Sequence, residues 1–228
     1  MTAASDYYLN GYLRGKLKNH QRLVEILNDL AHVNPREGFR WEQKYQNTLD
    51  LRPNVHAYDP CFMDVLMSSS VPTLINDVIG PDLVMVHIQV RRSFPGPSYM
   101  DWHRDSYRHG LHTVGNFPPV HKLIFYPLLG LKSEAKLKLV GGSHRRVFDS
   151  LQADLKGVHD LPYIEYASSD DEFILFETSI LHGVIPDKHE LGSIRVIYSF
   201  IRRSQYELSL IKQSIHREQV ELYTQRIS

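Results

Sequence analysis

From Asp82 to Arg202 the chain is a succession of short apolar runs separated by turn signals, and this pattern constrains the fold more than any other feature. Asp82–Phe94 is rich in β-branched residues and closes on Pro95-Gly96-Pro97. Lys122–Leu129, Ala135–Val140, Glu172–Phe176 and Ser193–Arg202 repeat the pattern. Runs of this length, bounded by Gly, Pro, Asp and Ser, read as strands. Ahead of them, Leu13, Leu17, Leu23, Ile26, Leu27 and Leu30 recur at three- and four-residue steps, which predicts a helix over Tyr8–Val33. It should stop before Asn34-Pro35, because proline disfavours helix at the preceding residue. Residues 35–60 are polar and turn-rich, a second helical stretch is expected over Pro60–Val78, and Tyr206 onward looks helical again. Helices followed by a run of short strands predict a mainly β fold with flanking helices. The expected architecture is a jelly-roll, cupin-like double sheet. One domain is expected over 1–228, with a helical part at about 1–80, a β-core at about 82–203 and a C-terminal helix at about 206–226.

Composition narrows the function. Lys+Arg and Asp+Glu both number 26, so the chain lacks the basic excess of a nucleic-acid or membrane-surface binder. The single cysteine, Cys61, cannot form an internal disulfide. The first twenty residues lack the apolar stretch of a signal peptide, and no window is apolar enough for a membrane span. The expected location is therefore cytoplasmic. The unusual count is thirteen histidines, which directs attention to metal chemistry.

The strongest local signal is Tyr99-Met100-Asp101-Trp102-His103-Arg104-Asp105. In an extended chain, residues two apart share a face, so His103 and Asp105 can aim an imidazole and a carboxylate at one point while Arg104 turns away. That pair is two-thirds of the facial 2-His-1-carboxylate set that holds non-haem Fe(II) with positions left open. His216-Arg217-Glu218 has the same spacing but lies in a helical pattern, where side chains two apart diverge; it reads as a solvated helix face. A third ligand should come from another strand, and His182, in the segment FILFETSILHGVIP, is the best placed. Alone, His182 reads as a buried histidine bonded to backbone. Arg195, thirteen residues later in an apolar strand, changes that. A buried guanidinium must be paired, and its planar fork suits a carboxylate, supplied by a distant side chain or by a bound ligand.

Taken together, His103-x-Asp105, the turn Val140-Gly141-Gly142-Ser143-His144-Arg145, His182-Gly183-x-x-Pro186 and Arg195 resemble the phytanoyl-CoA dioxygenase family, a branch of the Fe(II)/2-oxoglutarate oxygenases. The resemblance covers roughly residues 72–202. It implies a double-stranded β-helix, iron held by His103, Asp105 and His182, and 2-oxoglutarate held through its distal carboxylate by Arg195. It also implies reaction with O₂, in which 2-oxoglutarate is decarboxylated to succinate while the substrate is oxidised. In related halogenases a small residue replaces the carboxylate, so Asp105 favours hydroxylation or another halide-free oxidation. Gly141 departs from the usual proline, and the spacing from His182 to Arg195 exceeds the usual one by two residues, which the turn at 187–192 can absorb. His144 reads as a turn-stabilising residue, because three ligands are already supplied. Gln89, on the strand entering the metal segment, is either a hydrogen-bond donor to the metal end of 2-oxoglutarate or an ordinary outward polar residue.

Arg91, Arg92, Arg108, His109 and His112 flank the first metal segment and predict a polar or anionic small-molecule substrate, with solvated loop charges as the competing reading. Two rivals remain at this level. A cupin-like metalloenzyme that ignores 2-oxoglutarate would use the same ligands and leave Arg195 without a task; a non-catalytic jelly-roll binding module would need neither. The sequence carries no signal for oligomeric state.

Overall fold

A computed structural model describes residues 2–67, 70–98, 100–105, 120–127, 135–146, 155–167, 169 and 171–204. Among these, ten strands form two antiparallel sheets. The strands are β1 (Tyr12–Lys16), β2 (Arg40–Tyr45), β3 (Thr48–Arg52), β4 (Leu83–Ser93), β5 (His121–Phe125), β6 (Lys136–Leu139), β7 (Ile164–Ala167), β8 (Glu172–Glu177), β9 (His182–Ile185) and β10 (Ser193–Arg202). The large sheet runs β1-β8-β5-β10-β4-β3-β2 and the small one β7-β6-β9. The helices are α1 (Ala3–Asn10), α2 (Gln21–His32), α3 (Val55–Tyr58), α4 (Cys61–Met67) and α5 (Val71–Ile79).

Alternation along the strands sorts the core into two layers. On the large sheet, Leu123, Phe125, Phe173, Leu175, Val196, Tyr198 and Phe200 face the helices, where they meet Leu23, Leu27 and Leu30 of α2 and Phe62 of α4. Their neighbours Ile124, Ile174, Phe176 and Ile197 face the other way and pack against Leu137, Leu139, Tyr166 and Val184 of the small sheet. Two sheets closed over an apolar filling, with helices on one outer face, make the expected jelly roll. Central β10 is buried on both faces from Ser193 to Ile201, as a strand between two neighbours and two layers must be.

The N-terminal region differs from the expected helices. Tyr8–Val33 is not one helix: α1 ends at Gly11, whose φ of 79° lies in the left-handed region, and β1 pairs along β8 before α2 begins. Leu13 and Leu17 fit a helical period, yet both are buried in the sheet–helix core once β1 joins the edge of the large sheet. Tertiary pairing overrides the local period here. Residues 35–60 contain the hairpin β2–β3, which extends the same sheet beyond β4. The stretch expected over Pro60–Val78 is present as α4 and α5, and α2 ends at His32, before Asn34-Pro35 as expected. The expected C-terminal helix, with His216 and Glu218, lies outside the described residues, as do Arg108, His109 and His112. None of the described helices is long and apolar enough to cross a membrane.

The register of β10 on β4 sets Arg195 opposite Arg91. Like charges facing each other across strands are destabilising. Asp50, opposite Arg91 on its other side, answers Arg91 with a two-pronged contact: Nε to Oδ1 at 2.7 Å and Nη2 to Oδ2 at 3.0 Å. Burial pushes the Asp50 carboxyl up, but the hydrogen bonds and charge of Arg91, with Gln89 and Arg52, overcome this and hold it below the usual carboxylate range. Asp50→Asn leaves a buried guanidinium uncompensated and is expected to cost about 3–5 kcal/mol in urea denaturation at neutral pH. Because the folded-state pKa is depressed, this contribution is complete above the unfolded value of about 4 and is lost as pH falls through the folded one. The gap between parent and variant should therefore narrow in acid.

Candidate metal centre

The site begins with a backbone contact. His103 N–H donates to His182 O at 2.9 Å and His182 N–H donates to His103 O at 3.0 Å, an antiparallel bridge between the irregular Met100–Asp105 segment and the start of β9. Val184 N–H to Met100 O, at 2.9 Å, and Asp105 N–H to Thr178 O, at 3.0 Å, extend the join on either side. Residues paired in this way project side chains on one face. The two imidazoles accordingly sit with ring centroids 4.2 Å apart. Asp105, two residues on, returns to the same side. His103 Nε2 lies 3.5 Å from Asp105 Oδ1, His182 Nε2 lies 3.6 Å from Asp105 Oδ2, and the three ligating atoms all fall within 4.8 Å of one another.

Each imidazole is oriented from behind. His103 Nδ1 lies 2.6 Å from Asp101 O, and His182 Nδ1 lies 2.8 Å from Ile180 O. A carbonyl can only accept, so both rings carry their proton on Nδ1 and turn the Nε2 lone pair into the cluster, the arrangement a metal-binding histidine needs. His103 Nε2 is buried with no hydrogen-bond partner among the described residues. Burial and the neighbouring His103 push the pKa of His182 down, against the pull of Asp105, which favours the neutral ligand form. For Asp105, burial pushes upward, but the charge of the Lys122 ammonium leads the contacts that outweigh it and hold the carboxyl well below its usual range. Two neutral nitrogens and one ionised carboxylate fit a divalent first-row metal, whose bonds of about 2.0–2.2 Å need only small side-chain shifts from these separations.

Behind the cluster, Arg104 turns away and sews the loops together. Its buried guanidinium donates from Nη1 to Ser143 O at 2.9 Å and to Ser179 O. Ser143 Oγ accepts from Leu181 N–H at 2.8 Å, so the Gly-Gly-Ser-His turn holds the residue next to His182. His144 is outside the cluster, with Nε2 3.0 Å from Tyr8 O. Gly183 follows the ligand because space is lacking: a Cβ there would come within 2.6 Å of Lys138 Cε and 3.3 Å of the Asp101 carbonyl carbon.

Of the other residues singled out from sequence, Gln89, Arg91 and Arg195 lie on the inter-sheet face of β4 and β10. Arg195 is buried, with Nη1 donating to Ser93 Oγ at 3.0 Å and its guanidinium 5.3 Å from the centre of the Tyr126 ring. Gln89 turns its amide to Asp50, with Nε2 2.5 Å from Oδ2, so it is neither outward nor aimed at the metal cluster through that donor. Arg91 is committed to Asp50, and Arg92, on the opposite face of β4, stacks 4.8 Å from the Phe94 ring centre. His182 opens β9 after a turn that carries the chain from the large sheet to the small one. Lys122 is the site residue that sequence reasoning passed over. Its Nζ donates to Asp105 Oδ2 at 2.5 Å. The available signal was phase: Lys122 is the charged member of an inward-facing set with Ile124 and Tyr126.

The sequence matches no protein-family model and no curated protein. Solved structures share the fold. HygX from Streptomyces hygroscopicus, solved with nickel, 2-oxoglutarate and hygromycin B bound, superposes with a TM-score of 0.63 at 15% identity, over 86% of this chain and 85% of that one. The non-haem α-ketoglutarate-dependent epimerase SnoN from nogalamycin biosynthesis gives 0.64 at 13% identity, over 88% and 82%. EctD from S. alaskensis, with 2-oxoglutarate and 5-hydroxyectoine, gives 0.61 at 14% identity, over 89% and 76%.

His103→Ala and His182→Ala are each expected to weaken Mn(II) binding, followed by calorimetry, by more than roughly a hundredfold, since loss of an orienting partner alone typically costs ten- to a hundredfold. His144→Ala should leave it unchanged.

Proposed function

We propose that the chain is a non-haem Fe(II)- and 2-oxoglutarate-dependent oxygenase of the phytanoyl-CoA dioxygenase type, which hydroxylates or otherwise oxidises a polar or anionic small molecule. One observation carries this reading: a His103–Asp105–His182 cluster shares the interior of the jelly roll with the buried cation of Arg195. The similar structures of HygX, SnoN and EctD, obtained with 2-oxoglutarate and with small organic molecules, support the same reading.

In this mechanism His103 and His182 offer Nε2 lone pairs fixed by the carbonyls of Asp101 and Ile180, and Asp105 offers an ionised oxygen. Together His103, Asp105 and His182 would hold a divalent iron with positions left open for further ligands. Iron with 2-oxoglutarate bound supplies an O₂-dependent oxidation in which the 2-oxo acid becomes succinate and CO₂. Arg195 presents its fork to the distal carboxylate from a strand buried on both faces, so the cosubstrate is held in one orientation. Ile124, Ile197 and Val184, packed between the sheets, keep water from the reacting end. Asp105 fills the position that a halide would need, so oxidation proceeds without halide transfer.

Removal of metal with EDTA should abolish succinate formation, Fe(II) with ascorbate should restore it, and Zn(II) should not, because zinc accepts the same ligands without redox chemistry. Restoration by zinc would point to Lewis-acid chemistry instead. Arg195→Ala should weaken 2-oxoglutarate binding by roughly ten- to a hundredfold, and Arg195→Lys should also weaken it, since a point donor cannot reproduce the fork. Fe(II) binding should survive in both. Unchanged 2-oxoglutarate titrations in both variants would remove the cosubstrate from this reading.

A further inference from the structure

Lys122 stands on the inter-sheet face of β5, between Phe176 of β8 and Ser199 of β10. With 25% of its side chain exposed, Lys122 gives up much of its hydration, a cost that calls for a partner to its charge. Asp105 takes one of its three N–H donors, at 2.5 Å, and among the described residues Asp105 is its one hydrogen-bond or ion-pair partner. That partner is also the carboxylate of the metal cluster. A divalent cation held by His103, Asp105 and His182 therefore shares Asp105 with an ammonium, and two cations compete for one negative charge. A site built this way is balanced by a further anion arriving at the metal, within reach of the two remaining N–H donors. Arg195 supplies the matching cation at a distance: it lies four residues from Ser199 along β10 on the same face, about 13 Å of strand at 3.3 Å per residue.

On the oxygenase reading above, we propose that Lys122 holds the metal-end carboxylate of 2-oxoglutarate, so that Lys122 and Arg195 clamp the dicarboxylate from its two ends. Lys122 thereby couples the two ligands with opposite sign: its charge opposes the metal and favours the anion that joins it. A lysine serving only to hold Asp105 in place would favour both.

The test is titration of parent and Lys122→Met, first with Mn(II) and then with 2-oxoglutarate on the Mn(II)-loaded protein, by calorimetry and electron paramagnetic resonance. Methionine keeps the length of the side chain and removes the charge; Lys122→Gln serves the same purpose if the methionine variant melts early. The expected result is Mn(II) binding at least as tight as in the parent, with 2-oxoglutarate binding weaker by roughly ten- to a hundredfold. Lys122→Arg, which keeps the charge, should recover part of that loss. Two results overturn the assignment: 2-oxoglutarate affinity within about twofold of the parent, or a loss of Mn(II) affinity alongside it, which makes Lys122 a support for Asp105. If the Mn(II)-loaded parent binds no 2-oxoglutarate, the oxygenase reading itself fails and Lys122 loses this role with it.

Discussion

Two reciprocal hydrogen bonds, between the backbones of His103 and His182, are the constraint on which the site depends. They join a segment with little regular structure to the first residue of β9, and they set both imidazoles on one face. Everything else at the cluster adjusts that contact. Asp105 reaches it through the period of an extended chain, the carbonyls of Asp101 and Ile180 choose the ring nitrogen, and Arg104 ties the neighbouring turns behind it. A cluster positioned mainly by backbone hydrogen bonds tolerates variation in surrounding side chains.

The interior of the jelly roll also has to accommodate cations. Arg91, Arg195 and Lys122 all project from the inward face of the large sheet, where unpaired charge is costly. The three are handled differently. Arg91 is neutralised within the protein by Asp50, which makes the pair a structural tie between β4 and β3. Lys122 is paired to a carboxylate that belongs to the metal cluster. Arg195 meets a hydroxyl and an aromatic face.

Much of this was legible in the chain itself. The short β-branched runs announce a β-core because strands of five to ten residues bounded by turns have few other uses. His103 and Asp105 were legible as a pair because they are two residues apart, whereas His182 is brought beside them from a distant part of the chain by the fold. Less visible were elements whose identity depends on a distant partner. Leu13 keeps a helical period and nevertheless belongs to β1, with Leu17 just beyond its end, because pairing with β8 outweighs a weak local preference. β7 is four residues long and exists by virtue of β6 beside it.

The sequence by itself determined the class of fold and the residue types available for metal chemistry, since hydrophobic period and ligand spacing act over a few residues. Only the tertiary structure decided which cations were already spoken for. Arg91 and Gln89 looked available for ligands until β3 brought Asp50 alongside them, and Lys122, which sequence reasoning did not single out, meets Asp105 only through the placement of β5. The physical reason is the range of the interactions. A side chain's direction follows from the period of its own strand, but its partner in charge comes from whichever strand the sheet sets next to it, and that neighbour is chosen by the burial of the whole core.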